Sequence, residues 1–355
     1  MIPIWRRSLL DVVCMKERSY IAVALILTTL LLAALLIHGA SLAWESGSPD
    51  DALSGYNGAQ VYQSTVPAGD DYAEDGEGLD DGYPAERWGV ARIEAPLAWE
   101  ITRGDPAVIV AVLDTGICKA NPELAGRLVA EVNFTGSRTS DDLYGHGTHI
   151  AGTIVAIAPD ARLMNVKVAD DMGRAEAPVV ARGIVWAVDN GAQVINISLC
   201  MRPSPELEEA VNYAWGRGAI IIAAAGNQGG SDPVYPAYYV HCLAVAGTNS
   251  RNSVALLSSH GYWVDVAAPG LNIYSELPLN EYGYKTGTST AAAHVSGVAA
   301  LVLSVMADDN GTEAMNGLVR EAIENSCTPI SGDGVRWGLV NAFDAIAGTL
   351  SPTSP

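Results

Sequence analysis

The sequence predicts an α/β domain, a doubly wound parallel sheet with helices on both faces, preceded by one N-terminal membrane helix. The domain is predicted because short, continuously apolar runs alternate with helical patterns from residue 107 onward. Strands that are apolar on both faces are typical of parallel sheets covered by helices on both sides. The membrane helix is predicted by an uncharged apolar run near the N-terminus.

The membrane helix is predicted at residues 20–37, which contain no charged side chain and only Thr28 and Thr29 as polar interruptions. A helix of this length nearly spans the apolar core of a bilayer. Basic residues precede the run and acidic residues follow it, so the positive-inside rule puts the N-terminus in the cytoplasm and the remainder outside. The length of the run favours an uncleaved signal anchor, with cleavage of a signal peptide near residues 41–43 as the alternative.

Residues 44–86 form a distinct segment with 11 acidic residues and no Lys or Arg. Low hydrophobicity and high net charge predict a flexible linker there. The whole chain has 40 acidic and 20 basic residues, a net charge of -20. We therefore expect no nucleic-acid partner, because binding to phosphate backbones needs clustered Lys and Arg.

Four of the five cysteines follow the membrane segment, on the side where disulfides can persist. The pattern leaves open whether these four cysteines form disulfides or are small buried apolar residues. No CxxC spacing is present, so we expect no zinc site. The four are Cys118, Cys200, Cys242 and Cys327.

The elements of the domain follow in chain order from the apolar runs. Strands are predicted at residues 108–113, 162–168, 194–199, 220–225, 243–247 and 264–267. Helices are predicted at residues 147–156, 179–190, 205–217, 289–304 and 313–325. Parallel sheets place functional sites at the carboxyl ends of their strands, so the polar residues at those ends are the candidates.

Four polar residues stand at strand ends or helix starts. Asp114 ends the first strand, and His146 lies between two glycines at the entrance to a helix. Asn227 follows a buried strand on a glycine-rich turn, and Ser289 opens an uncharged apolar helix. Taken singly, each residue has a structural explanation, because Asp favours turns and Ser caps helices. The combination of the four instead indicates a catalytic site.

The combination supplies the parts of an acyl-transfer site. A serine hydroxyl needs a neutral imidazole to accept its proton, and the imidazole needs a carboxylate to fix its tautomer. Ser289, His146 and Asp114 can fill these roles. The backbone N–H groups at the start of the serine helix and the amide of Asn227 can donate hydrogen bonds to the oxyanion that forms.

The chain is similar to the subtilisin-like serine proteases, and most similar to the thermitase-like members. Three catalytic stretches carry the resemblance in the subtilisin order, AVLDTGI, GHGTHIAGT and GTSTAAAHVSG, together with AAAGNQGG and VINISL. The resemblance covers residues 88–348. It implies that one edge of the substrate cleft is formed by Ser198, Leu199 and Cys200, and the facing wall by Ala224, Ala225 and Gly226, with an extended peptide bound as a strand.

The chain departs from the family pattern at four positions. The family usually has Met after the nucleophile and Pro before the histidine of that helix, where this chain has Thr290 and Ala293. It usually has two glycines in the cleft edge, where this chain has Cys200 and Met201. We expect these two side chains to narrow the pocket for the residue before the scissile bond.

The resemblance also implies structural calcium, which the family usually binds at a strong site in a loop that interrupts the helix after the catalytic histidine. Here residues 152–156 run directly into residues 157–159, so this loop is absent. Glu123 stands at the place of one further ligand, but one carboxylate cannot hold the ion alone. We therefore expect the strong calcium site to be absent, while weaker calcium sites elsewhere stay open. We expect no cofactor for catalysis.

The predicted function is a membrane-anchored, extracytoplasmic serine endopeptidase that hydrolyses protein or peptide substrates through an acyl-enzyme. The alternatives are a restricted processing protease or transpeptidase, a catalytically silent peptide-binding relative, and secretion after signal cleavage. The predicted divisions are a cytoplasmic tail at residues 1–19, the anchor or signal at 20–43, the linker at 44–86, the peptidase domain at 87–350 and a tail at 351–355.

Overall fold

The computed structural model describes residues 59–60, 85–306, 315–330 and 334–350. The predicted membrane segment at residues 20–37 lies outside the described residues, as do both tails and most of the predicted linker.

Twelve strands occur among the described residues. In chain order they are β1 (Ala59–Gln60), β2 (Ile109–Asp114), β3 (Leu128–Asn133), β4 (Arg162–Lys167), β5 (Arg174–Ala175), β6 (Val194–Ile197), β7 (Ile220–Ala224), β8 (Cys242–Thr248), β9 (Val266–Pro269), β10 (Ile273–Leu277), β11 (Glu281–Lys285) and β12 (Gly338–Leu339). Eight of them form one sheet in the order β12-β9-β8-β7-β6-β2-β4-β3, and each pairing within it is parallel.

The helices of the described residues connect these strands. They are α1 (Trp88–Arg92), α2 (Ala95–Ala98), α3 (Pro122–Ala125), α4 (His146–Ile157), α5 (Ala177–Asp189), α6 (Pro205–Gly216), α7 (Thr288–Val305), α8 (Met315–Asn325) and α9 (Ala342–Leu350). Short 3-10 turns lie at Ala85–Arg87 and Pro278–Asn280.

The sheet is buried on both faces, as the apolar runs predict. In β7, Ile220 and Ile222 face a core shared with α4, α7, α8 and α9, and Ile221 and Ala223 face a second core shared with α5 and α6. Successive side chains of a strand point to opposite faces, so both sets must be apolar when helices cover both sides. The predicted parallel α/β architecture is therefore confirmed.

The six predicted strands and the five predicted helices are all present, with ends displaced by at most two residues. The strands that were missed are β3, the antiparallel β10–β11 hairpin and the two-residue β1, β5 and β12, and the missed helices are the short α1, α2 and α3 and the C-terminal α9. In β3, half-buried and exposed residues alternate, so it contains no continuous apolar run. The hairpin is similarly half-exposed, with Glu281 and Tyr284 facing solvent.

The order of the strands reverses at β2. The chain adds β3 and β4 on one side of β2 and adds β6 to β9 on the other, so β2 and β6 are adjacent at the reversal. Crevices for ligands form at the carboxyl ends of strands at such a point. Asp114 ends β2 and Ser198 follows β6 there, which makes this edge the candidate site.

One helix among the described residues, α7, is long and apolar enough to cross a membrane. It packs against α4, β6, β7 and β8, and 83% of its apolar window is buried inside the domain. It is therefore the central helix of the domain core, and its apolar character is explained by burial inside the domain.

Part of the predicted linker has regular structure. Ala59 and Gln60 form β1, which pairs antiparallel with Ala175 and Arg174 of β5. The strand β5 follows closely after β4, and the backbone N–H groups of Val168 and Ala169 between them donate to the carbonyl of Asp114. An extended segment thus lies as a strand beside the carboxyl edge of the sheet.

Candidate active site

Asp114 and His146 form a buried pair at the reversal point. Nδ1 of His146 lies 2.8 Å from Oδ1 and 2.9 Å from Oδ2 of Asp114, and both side chains are almost fully buried. A carboxylate at this distance accepts a hydrogen bond, so the Nδ1 atom carries the proton when the imidazole is neutral. The Nε2 atom is then left as the base.

The start of α4 is held by a buried carboxylate, Asp142, which the sequence analysis did not select. Its oxygens accept from the backbone of Gly145 at 2.7 Å and of Thr148 at 2.9 Å, and from the hydroxyl of Thr148 at 2.7 Å. These N–H groups belong to the end of a helix that has no other acceptor for them. Asp142 thereby fixes the turn that carries His146.

Thr115 links this turn to the strand of Asp114. Its hydroxyl donates to Asp142 at 2.8 Å and accepts from the backbone of Gly147 at 2.9 Å. Its own backbone N–H donates to Oδ1 of Asp114 at 2.7 Å. The carboxylate therefore receives bonds from two directions, which restricts its rotation.

Lys167 is a second residue that the sequence analysis missed. Its side chain is completely buried, and its Nζ donates to the carbonyl of Thr115 and forms an ion pair with Asp171 at 2.9 Å. A buried ammonium needs such partners, because removing it from water is otherwise costly. The available signal was one Lys at the end of a strand rich in apolar residues, which indicates a polar partner.

Ser289 is the second residue of α7 and lies against the end of β6. It is 6% exposed, and its Oγ donates to the carbonyl of Ser198 at 3.4 Å. In return, Oγ of Ser198 donates to the carbonyl of Ser289 at 3.0 Å. Since Ile197, the residue before Ser198, pairs with Leu113 beside Asp114, the serine lies at the same strand edge as the Asp–His pair.

Thr290 replaces the expected Met without contributing an atom to the Asp–His pair. Its hydroxyl donates to the carbonyls of Gly287 at 2.8 Å and Gly270 at 3.1 Å. These bonds fasten the turn before α7 to the end of β9. Ala293, at the other departure, is fully buried against the core.

Asn227 is oriented by the backbone before Ser289. Its Oδ1 accepts from the backbone N–H of Thr288 at 2.9 Å and from the Thr288 hydroxyl at 3.0 Å. Because a backbone N–H can only donate, the oxygen must face Thr288, and the Nδ2 group remains free to donate elsewhere. A Cβ at Gly287 would lie 2.9 Å from Nδ2, so only glycine leaves room for this amide.

Residues 198–200 and 224–226 lie at the start of α7, where Ser198 contacts Ser289 and the backbone N–H of Gly226 donates to the Thr288 hydroxyl at 3.0 Å. They continue β6 and β7, which are adjacent in the sheet through the pair Ile197 and Ala223. Ser198, Leu199 and Ala224 to Gly226 are buried, and Cys200 is half-buried. The structure thus places both predicted segments next to the start of α7.

Residues 105–342 match the model of the Subtilase family. The chain belongs to the subtilase family. It is 41% identical over 278 residues to thermitase of Thermoactinomyces vulgaris, covering 74% of this chain and 97% of that protein. It is 40% identical over 265 residues to subtilisin BL of Lederbergia lenta, covering 72% and 96%. A thermophilic serine proteinase of Bacillus sp. (strain AK1) is 36% identical over 279 residues, covering 74% and 68%.

This subtilase is accordingly a subtilisin-like serine endopeptidase, which confirms the predicted family and enzyme class. Proteins or peptides are its substrates, and subtilases need no cofactor for catalysis. The match to the family model, at residues 105–342, includes each strand of the central sheet from β2 to β12.

Two further histidines of the subtilase are structural. Nε2 of His149 donates to the carbonyls of Ile273 and Gly283, which ties α4 to both strands of the hairpin. Burial, assisted by the charge of Lys285, lowers the pKa of His149 to about 3. Burial also lowers the pKa of His294, whose Nδ1 donates to the carbonyl of Thr290, to about 4. Both therefore stay neutral at ordinary pH.

The four cysteines of the described residues are free thiols. Cys118 and Cys242 are buried and Cys200 and Cys327 half-buried, in agreement with the alternative of small apolar side chains. Burial raises the pKa of the Cys200 thiol to about 12, so this thiol is protonated at neutral pH.

Calcium binding is common among subtilases. Helix α4 continues unbroken to Ile157, with no loop in it. The carboxylate of Glu123 accepts a hydrogen bond from the Tyr282 hydroxyl at 2.7 Å. No group of three or more His, Cys, Asp or Glu side chains able to hold a metal occurs in the described ranges.

A buried carboxyl, Glu276 of β10, packs against α4 instead. It is 2% exposed, accepts from the Ser275 hydroxyl at 2.8 Å, and occupies space that only a glycine at position 152 leaves open. Burial raises the pKa of Glu276, the carboxylate of Glu123 raises it further, and Arg87 opposes both. A raised acid pKa means that the buried charge destabilises the folded state at pH values above that pKa.

Replacing Glu276 with Gln should therefore raise the melting temperature by a few degrees at pH 8, because the amide keeps the bond to Ser275 without the charge. The gain should shrink as the pH falls through the raised pKa, since the native carboxyl is then protonated. Thermal unfolding at several pH values measures this. Glu281→Gln, an exposed position on the same hairpin, is the control; equal pH-dependent gains in both variants would contradict the assignment.

Proposed function

We propose that this subtilase hydrolyses peptide bonds through an acyl-enzyme, with Ser289 as nucleophile, His146 as general base and acid, and Asp114 as the carboxylate that orients His146. The observation that carries the proposal is the buried Asp114–His146 pair at the strand edge where Ser289 also lies. Labelling by a fluorophosphonate, together with release of peptides from casein, tests it.

In the proposed mechanism, rotation of the Ser289 side chain moves its hydroxyl from the carbonyl of Ser198 to Nε2 of His146. The hydroxyl loses its proton to Nε2 as Oγ attacks the carbonyl carbon, and Asp114 stabilises the imidazolium. His146 then returns the proton to the leaving amine. A water molecule repeats the sequence on the ester and releases the acid.

The oxyanion of each tetrahedral intermediate would accept hydrogen bonds from the backbone N–H of Ser289 and from Nδ2 of Asn227. The bonds from Thr288 hold the amide in place before the reaction, so no reorganisation is required when charge develops.

Substrate would bind as an extended strand between residues 198–200 and the strand β5, with Ala224, Ala225 and Gly226 along the opposite wall. The pairing of Ala59 and Gln60 with β5 supports this, because it is an extended segment bound in the antiparallel orientation at that edge. Cys200 and Met201 in the cleft edge favour a second candidate, a processing protease or transpeptidase with few partners. A peptide library separates a broad from a narrow specificity.

We further propose that the domain is extracytoplasmic and anchored through residues 20–37. The uncharged run and the basic residues before it support this topology. A protease added to intact cells should release the domain, and the protein should fractionate with membranes. Recovery of a soluble chain that begins near Trp44 would instead indicate a cleaved signal.

We propose that the strong calcium site of the family is absent here. Adding a chelator should then lower the melting temperature only slightly, because a weakly bound ion stabilises by a small RT ln(1 + [L]/Kd). The uninterrupted α4 and the engagement of Glu123 with Tyr282 support this. A decrease on the order of 15 °C or more would show that calcium has strong ligands in this chain.

A further inference from the structure

The substrate residue before the scissile bond is called P1. The space beside Ser289 limits the size of the P1 side chain. During attack the P1 carbonyl carbon must lie at Oγ of Ser289, with its oxygen toward Asn227. Ser289 contacts Ser198, and Asn227 follows Gly226. The P1 side chain must therefore enter the gap between residues 198–200 and residues 224–226.

This gap opens because β6 and β7 pair only as far as Ile197 and Ala223. Beyond this pair, the two segments are no longer joined by the ladder of the sheet, and a side chain can enter between them. The size of that side chain depends on what the protein itself places in the gap.

Cys200 reaches across the gap from one side. Its Sγ lies 3.7 Å from the carbonyl oxygen of Ala224, a van der Waals and weak hydrogen-bond contact. The half-buried thiol is kept protonated by its surroundings, which agrees with a space-filling role. The two walls are thus in contact through this side chain.

Val234 packs against the wall at Gly226. Its Cγ2 atom lies 3.4 Å from the position that a Cβ of Gly226 would take, so the valine packs directly on the wall. The next residue, Tyr235, exchanges backbone hydrogen bonds of 2.8 and 3.3 Å with Met201. This bridge fastens the segment of Val234 to the segment of Cys200, which resists widening of the gap.

We propose that Cys200 and Val234 occlude the P1 pocket and restrict the enzyme to substrates with glycine, alanine or serine before the scissile bond. The inference rests on the proposed function of Ser289 and adds the substrate class. A large P1 side chain would have to displace both side chains and stretch the Met201–Tyr235 bridge. In a packed pocket each excess methylene is costly to the transition state.

The test uses the purified protein and a series of succinyl-Ala-Ala-Pro-X p-nitroanilides, where X is Gly, Ala, Ser, Leu or Phe. For the wild type, kcat/KM should be highest with a small X and at least about 100-fold lower with Phe than with Ala. In the Cys200→Gly, Val234→Gly double variant, the Phe-to-Ala ratio of kcat/KM should rise by at least about tenfold. Cys327→Ala, a half-buried thiol in the segment after α8, should leave the ratio unchanged.

Equal cleavage after Phe and Ala by the wild type would overturn the inference, whether or not the variants fold. So would an unchanged ratio in a double variant that melts cooperatively and labels at Ser289. If the wild type cleaves none of the series and takes up no fluorophosphonate, the proposed function itself fails. If the wild type takes up the fluorophosphonate and cleaves best after Phe, the proposed catalytic function of Ser289 stands. Only the proposed occlusion of the P1 pocket is then rejected.

Discussion

Replacing Ser289 with alanine should abolish both fluorophosphonate labelling and peptide hydrolysis. The expected loss in kcat is about 10⁶-fold, the size that removal of the nucleophile causes in subtilisin. No neighbouring group can substitute, because Thr290 directs its hydroxyl to the carbonyls of Gly287 and Gly270 and Ser198 bonds to the backbone of Ser289. Labelling and steady-state hydrolysis of a peptide anilide measure the change.

The matched control is Ser304→Ala on the same helix. Ser304 lies near the other end of α7, where its hydroxyl contacts Thr102 at 2.9 Å. This variant should label and hydrolyse as the wild type does, with at most a small loss of stability. Equal labelling of wild type and Ser289→Ala would reject Ser289 as the nucleophile.

The central sheet could be predicted because its strands are covered on both faces. Ile195 in β6 and Ile221 in β7 lie in one core, and Val194 and Ile222 lie in the other, so both faces of each strand are mainly apolar. Elements with a solvated face lack that constraint. The edge strand β3 and the hairpin β10–β11 belong to this class, and their sequences contain charged residues that hide the pattern.

The residues that hold the site in place could not be predicted from the sequence. In the sequence, Asp142 has the features of an ordinary turn residue. The structure shows that it accepts hydrogen bonds from the hydroxyls of Thr115 and Thr148, which lie in two other segments. In the sequence, Lys167 is only a polar residue at the end of a strand. The structure shows that its Nζ donates to the carbonyl of Thr115. Their roles depend on contacts between residues distant in sequence, whereas a nucleophile, a base and a carboxylate can be recognised by residue type and local setting.

The helix of Ser289 is buried along most of its length, and for that reason it contains no Asp, Glu, Lys or Arg. Oγ of Ser296, two turns into α7, donates to Oδ1 of Asn196, and Nδ2 of Asn196 donates to Ser198. Ser198 in turn bonds to Ser289. This chain of bonds fixes the depth and rotation of the helix against β6, while apolar contacts supply the burial. Ser289, the proposed nucleophile, is therefore positioned by the core of the domain.

Replacing Asn227 with leucine should lower kcat by about 10²- to 10³-fold, the loss seen when the corresponding donor is removed from subtilisin. KM should change little, because the Nδ2 group interacts mainly with the charge that develops in the transition state. Leucine also removes the acceptor for Thr288, so Asn227→Asp is the sharper variant. Aspartate can keep an oxygen facing that backbone N–H, which lies 2.9 Å from Oδ1 of Asn227, and it replaces the donor with a second, charged acceptor.

Both variants of Asn227 should therefore show similar losses in kcat if donation is the function, with the aspartate variant further hindered by its charge. Gln228→Leu, an exposed amide on the same turn, is the control and should retain the wild-type kcat. If Asn227→Asp keeps nearly full kcat while Asn227→Leu does not, the residue only positions the turn at Thr288. A large rise in KM at constant kcat would instead assign Asn227 to binding of the ground state, because transition-state stabilisation must act on kcat.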